Sequence, residues 1–313
     1  MPALLHHLTA ETSTALEQRT DLGEWDVVAV ATPDAIGPVC SDAGTVLLLD
    51  CNAYNQQWQD GIAALTKAGT SCLVMLVFDK SRVENVSSLL SQAEVPHLLP
   101  ASTVMNGEYF ALTLAKLLSE KSFGVDHYLT QGLEPTREIL SHTRQKYEQL
   151  EVFERFCELS GVAPRIAYAA VSVADELIMN AIYHAPCDEN GVAKYTEVPR
   201  NEPVNLEFSE RIEFRYACDD ERLIVAVTDR FGRLTLDTIQ ESLGRCMRGE
   251  ANPLKSPGQG AGLGLFSIYS NVNQLVFNIV PGERTEVLVI WDITSTYKEM
   301  SASLSSLNVF MLA

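Results

Sequence analysis

Glu176, Asn180 and His184 recur every four residues in DELIMNAIYH. That spacing lines a carboxylate, an amide and an imidazole along one helical face, about 6 Å apart. On such a face the Asn180 oxygen can ligate Mg2+ and Glu176 can serve as a general base. A partly exposed polar edge of an amphipathic helix would use the same pattern. A second segment, VAVTDRFG (225–232), is an apolar strand ending at Asp229 with Gly232 in the turn. An acid there can accept a hydrogen bond from an exocyclic amine such as adenine N6, or simply take aspartate's usual turn role. The third is PGQGAGLGLF (257–266), with Gly258, Gly260, Gly262 and Gly264 at alternate positions. Its bare backbone amides can approach a phosphate, and a helix starting at Leu265 would present its positive end to the anion; the alternative is a flexible hinge. The run is neither GxxxxGK[ST] nor GxGxxG, since Leu263 falls where the last glycine of the latter would sit.

Taken in order, ExxxN on a helix, Asp at a strand end and GxGxGLGL opening a helix resemble the GHKL ATPase superfamily over about residues 150–295. That superfamily includes histidine kinases, gyrase-type ATPases and bacterial anti-sigma-factor serine kinases. The resemblance implies a Bergerat ATP site with Mg2+ on Asn180, the adenine amino group on Asp229, and glycines 258–264 with Leu263 and Leu265 around the phosphates. His184 and Gly232 would complete the nucleotide contacts. In PGERTEV (281–287), similar to the approach to the family's last strand, Thr285 would join Asp229 at adenine. A stretch from about Leu234 to Pro257, carrying Arg245, Arg248 and Lys255, would be the mobile lid.

The chain departs from the family where DxGxG is usual: Phe231 and Arg233 stand at the two glycine positions, with Gly232 out of register, and the loop at 187–203 is long. GVAPRIAYAAVSVADELIMNAIYHA is similar to the anti-sigma serine-kinase branch, in which Glu176 would take the proton of a partner Ser or Thr hydroxyl. The alternatives are a non-catalytic scaffold with a degenerate nucleotide site, or a histidine kinase autophosphorylating His142, whose SHTRQKYEQL context lacks the usual HELRTPL pattern.

The elements that must position these residues give an α/β chain in two domains. Residues 1–22 read as an N-terminal helix. Apolar runs at 26–32, 45–50, 72–79 and 96–100, separated by helical stretches such as 58–68 and 83–93, predict a doubly wound domain over 23–125. Asp50, at the end of TVLLLD, stands where a response-regulator receiver carries its phosphoacceptor. The first predicted strand ends in Ala31-Thr32 without an acidic pair, Phe78 replaces Ser or Thr, and Pro100-Ala101 replaces Lys-Pro. The domain thus resembles a pseudo-receiver, with Asp50 a strand-end residue or a phosphosite.

Residues 126–160 read as a connector with one long helix over 133–160, a possible homodimer contact. A helix from Pro164 to His184 follows. Strands are then predicted at 204–208, 212–217, 223–228, 274–280 and 286–291. They make residues 161–295 an α/β sandwich with helices on one face of a mixed sheet, and 296–313 a tail.

Composition narrows the partners. Among 313 residues, 23 Lys and Arg face 41 Asp and Glu, a net charge of −18 that opposes nucleic acid and anionic lipid. A single triphosphate held by Mg2+ and backbone amides remains compatible. Seven scattered cysteines without a CxxC pair suit reduced thiols. No signal peptide or membrane span is read, so the expectation is a cytoplasmic protein with a protein partner.

Overall fold

In the computed structural model the chain divides into two compact units, Met1–Lys121 and Ser122–Ala313. The residues described are 1–41, 43–70, 72–79, 90, 96–106, 108–117, 123–129, 133–200, 202–248, 261–296, 298–299 and 305–312.

The first unit carries β1 (Ala3–His7), α1 (Ala10–Glu17), β2 (Asp26–Ala29), β3 (Thr45–Asp50), α2 (Gln56–Lys67), β4 (Leu73–Phe78), β5 (His97–Pro100), α3 (Ala101–Asn106) and α4 (Glu108–Leu117). Its strands are all parallel in the order β2-β1-β3-β4-β5, the flavodoxin-like doubly wound arrangement. Both faces of the sheet are buried. Leu4, Val46, Leu48, Met75 and Val77 pack with Leu16, Phe110 and Leu114, while Leu5, Leu47, Leu49 and Leu76 are buried on the other side.

The expected N-terminal helix over 1–22 is corrected. The chain opens with a strand, and only Ala10–Glu17 is helical. β1 pairs on both sides, with β2 and β3. Buried His6 meets Ser13 and Glu17, and His7 Nδ1 lies 2.9 Å from the Val30 carbonyl. Two histidines thus complete a strand whose apolar run is too short to be read as one. The residues at the end of the first strand are therefore His6 and His7, and Ala31-Thr32 follows the second. The helix predicted over 83–93 lies outside the described residues apart from Leu90.

The second unit contains β6 (Thr136–Leu140), α5 (Thr143–Leu159), α6 (Pro164–Tyr183), β7 (Ile212–Cys218), β8 (Arg222–Asp229), α7 (Leu236–Met247), α8 (Ala261–Ser270), β9 (Gln274–Val280), β10 (Arg284–Asp292) and β11 (Ser306–Met311). Its strand order is β11-β9-β10-β8-β7-β6, antiparallel throughout except for the parallel pair β9–β11. α6 packs on β7 and β8, and α8 packs on α6, α7 and β9, which puts the helices in one layer over the sheet. A tight cluster of Phe153, Phe156, Phe214 and Tyr216 seats α5 against β7.

Four expectations change in this unit. The helix over 133–160 is instead the edge strand β6 followed by α5, with His142 as its N-cap accepting from the Gln145 N–H (3.3 Å). The strand at 204–208 reduces to an isolated bridge between Asn205 and His142, followed by a turn at Phe208–Glu210. The tail ends in β11, locked where Ser305 Oγ donates to the Tyr269 and Val272 carbonyls. α6, at 20 residues and mean hydropathy 1.3, is long and apolar enough to cross a membrane, against the reading that no segment is. Its apolar stripe, including Ile166, Ala170, Val173 and Leu177, is buried in the core of this unit.

Candidate functional site

α6 starts with Pro164 in its first turn and ends with His184 as its C-cap, which places Asn180 and His184 along one edge. Both line a cavity of about 340 Å³ together with Asp229, Thr285 and Leu265. Five of the residues singled out by motif therefore meet in one concavity, drawn from α6, β8, α8 and β10.

β8 and β10 set the polar pair. Their antiparallel register puts Asp229 directly opposite Thr285. Asp229 is buried, and its Oδ1 accepts from the Phe231 N–H (2.8 Å). Burial, against those backbone donors, lifts the Asp229 carboxyl to about 6. Thr285 is 1% exposed, and its hydroxyl lies beside the Asp229 carboxylate, whose ionised form it favours. The two side chains make one buried polar spot on the cavity wall. The surrounding walls are apolar: Leu177, Ala181, Val227, Ile239, Ile268, Phe277 and Val287. A flat heteroaromatic base with an amine at its edge fits that combination of slot and acceptor.

The turn after β8 is fixed by Gly232. Its φ is +57°, and a Cβ there would lie 2.1 Å from the Val280 carbonyl oxygen, while the Gly282 N–H donates to the Gly232 carbonyl (3.1 Å). Gly232 thus docks two turns together beside Asp229. Arg233 lines the cavity and donates to the carbonyls of His184 (3.4 Å) and Gly191 (3.2 Å). It ties the long loop at 187–203 to the site.

Glu176 lies one turn before Asn180 and outside the cavity lining. Burial chiefly, then the neighbouring Asp175, raises its carboxyl, while Arg200, a hydrogen bond from Asn180 and Lys146 act against the rise. Lys146 is itself paired with Asp175 at 2.5 Å. The carboxylate of Glu176 rests on Gly264, where a Cβ would come within 1.8 Å of Oε1. The helix of the glycine segment begins at Ala261 rather than Leu265, so Gly262, Leu263 and Gly264 sit within its first turns. Gly264 has a packing role as well as an open backbone. Replacing Gly264 with Ala should destabilise by about 1–3 kcal/mol. The same change in a Glu176→Ala background should cost markedly less, a coupling read from the melting curves of the four-member cycle.

Gly258, Gly260 and Lys255 lie outside the described residues. Much of the expected lid, 234–257, is the helix α7, whose N-cap Thr235 accepts from the Thr238 N–H, and Thr238, Ile239 and Ser242 wall the cavity. Arg245 lies 3.8 Å from Glu241 and Arg248 caps that helix. Asp50 belongs to the first unit, where its Oδ1 accepts from the Asn52 N–H (2.8 Å) in a local turn. Among the described residues no group of His, Cys, Asp and Glu is arranged to hold a metal ion, so a cation here would rest on Asn180 and on the ligand's own oxygens.

The apolar walls were not legible as a site, because Leu177, Phe277 and Val287 carry the same periodicity as ordinary core. Arg200 was hidden by distance along the chain, and its one signal was the unusual length of the loop at 187–203.

No family model matches this chain, and no curated protein matches it in sequence. Among solved structures, the crystal structure of the SiaB-SiaC complex from Pseudomonas aeruginosa is similar over 50% of this chain and 88% of that one. The identity is 13% and the TM-score 0.34, a likeness too low to carry an argument about fold or partner.

Proposed function

We propose that the second unit binds ATP with Mg2+ in this cavity and phosphorylates a Ser or Thr hydroxyl on a protein partner, in the manner of anti-sigma-type partner-switching kinases. The observation that carries the reading is the facing pair Asp229 and Thr285, a buried carboxylate and a buried hydroxyl side by side in an apolar slot. Asp229 would accept from the adenine amino group and Thr285 would share the base edge. Asn180 would hold Mg2+, with the first turns of α8 toward the phosphates. Bound ATP would supply the transferable phosphoryl group, with Mg2+ neutralising its charge. The chain's own contribution to the chemistry is Glu176, whose raised carboxyl suits it to take the hydroxyl proton of the partner.

The net charge of −18 accords with a protein partner rather than a nucleic acid or an anionic membrane. Exposed Val152 and Leu159, seven residues apart and so on one side of α5, offer an apolar patch for such a partner.

Thermal melts with adenosine, ADP and ATP, followed by incubation with labelled ATP and candidate partner domains, test the proposal. Asn180→Ala should abolish the Mg2+ dependence of the ATP-induced shift while leaving the shift with adenosine. Loss of both, or retention of both, would count against Asn180 as the Mg2+ residue. The second reading, a nucleotide-regulated scaffold without transfer, is favoured by Arg233 standing where the family's loop has glycine. Nucleotide shifts without labelled product from any partner would select it.

A further inference from the structure

Arg200 comes from the long loop at 187–203, a segment that none of the motifs includes. Its Nη2 lies 3.0 Å from His184 Nε2, and because a guanidinium only donates, that imidazole nitrogen accepts. The His184 ring is thereby neutral with its proton on Nδ1, and burial first, then the Arg200 charge, hold it below the ordinary histidine range. The Arg200 guanidinium also lies over the Tyr183 ring, 4.0 Å from its centroid. From there its charge reaches Glu176, two turns back along the helix edge. Among the described residues no carboxylate closes an ion pair with it, and the residue is exposed. It is thus a stacked, oriented cation with donors to spare, spanning the polar edge from Glu176 through Asn180 to His184. In the nucleotide reading above, a base whose edge meets Asp229 and Thr285 would direct its anionic end toward that edge, where Asn180 and His184 line the cavity.

Resting on the nucleotide reading above, we propose that Arg200 is the residue that selects phosphorylated nucleotides, its guanidinium leaving His184 to bond the phosphate chain. Arginine suits the role because its planar fork bonds two phosphate oxygens at once while its face stays on the tyrosine ring. The base pocket does not need it. The loop, through Arg200 and the Arg233 tether to Gly191, then brings charge discrimination to a site whose base-binding half lies on the sheet.

Calorimetric titration of the full chain with adenosine, ADP and ATP, each with Mg2+, tests this in wild type, Arg200→Gln and Arg200→Lys. Arg200→Gln should leave adenosine affinity within about twofold and weaken ADP and ATP by about ten- to a hundredfold. Arg200→Lys should recover part of that loss. The unchanged adenosine isotherm serves as the control for folding, and a merely structural Arg200 would not separate adenosine from its phosphates. If Arg200→Gln weakens all three equally, or none, the assignment of Arg200 fails while the base pocket stands. If wild type binds neither adenosine nor ATP, the nucleotide reading itself fails.

Discussion

Replacing Asp229 with Asn should raise the melting temperature of the ligand-free protein at neutral pH and remove its response to nucleotide. The two effects have one cause. Burial lifts this carboxyl to about 6, against an ordinary value of 3.8, so above pH 6 the fold carries a buried charge that the unfolded chain would solvate. A folded value raised above the unfolded one means that the native state gains stability as pH falls from about 6 toward 3.8, and is penalised above that window. At about 1.4 kcal/mol for each unit, the penalty at pH 7 is on the order of 3 kcal/mol. Asn keeps an oxygen for the Phe231 N–H and removes the charge, while its amide nitrogen, set against the Gly232 and Thr285 donors that the carboxylate also accepts from, gives back part of the gain. For a domain of this size the melting temperature should therefore rise by several degrees, with the gain fading below pH 4. The same substitution puts an amide where the amine of the base needs a carboxylate, so nucleotide binding is lost. In the wild type, affinity should weaken as pH falls through 6. A variant that melts lower at pH 7, or that still binds ATP as wild type does, would contradict both parts.

Glu176→Gln should slow phosphoryl transfer by about 10²- to 10⁴-fold, the usual contribution of a general base, and leave nucleotide affinity nearly intact. Gln preserves the shape that rests on Gly264, so α6 and α8 stay in contact and the cavity walls do not move. Only the proton acceptor is lost. Labelled-phosphate transfer to the partner, measured beside calorimetry on the same sample, separates the outcomes. Transfer at the wild-type rate removes Glu176 from the base role. Loss of binding along with transfer would assign it a structural or metal-holding one.

The strands that carry the site were legible because they are pure cases. β9 falls where its apolar run begins and ends, and β8 stops at Asp229 because an acid and a glycine turn follow an uninterrupted apolar stretch. α6 announces itself by its buried stripe and by Pro164. The failures lie where composition and pairing disagree. His6 and His7 look polar, yet they sit in a strand paired on both sides, with His6 Nδ1 against the Ser13 hydroxyl and Nε2 3.4 Å from Glu17 on α1. The serines before Leu307 disguised β11, whose buried residues are supplied with partners by β9. β6 was absorbed into the helix that follows because Arg137 and Glu138 resemble a helical surface; its antiparallel ladder with β7, and the Arg137 pair to Glu213, decide otherwise. The site divides along the same line. Asn180 and His184, at a regular spacing, and Asp229 and Thr285, at the ends of paired strands, line one cavity. Arg200, contributed by an irregular loop, had no periodicity to reveal it.

The facing Asp229–Thr285 pair as the base-binding end of a nucleotide site is the central claim, and calorimetric titration of Mg2+-ATP into the wild-type chain at pH 7.5 addresses it most directly. The account predicts saturable binding at a single site, displaced by adenosine and absent in Asp229→Asn. Titrations without heat up to millimolar nucleotide, or binding that adenosine does not displace and Asp229→Asn does not weaken, would contradict it.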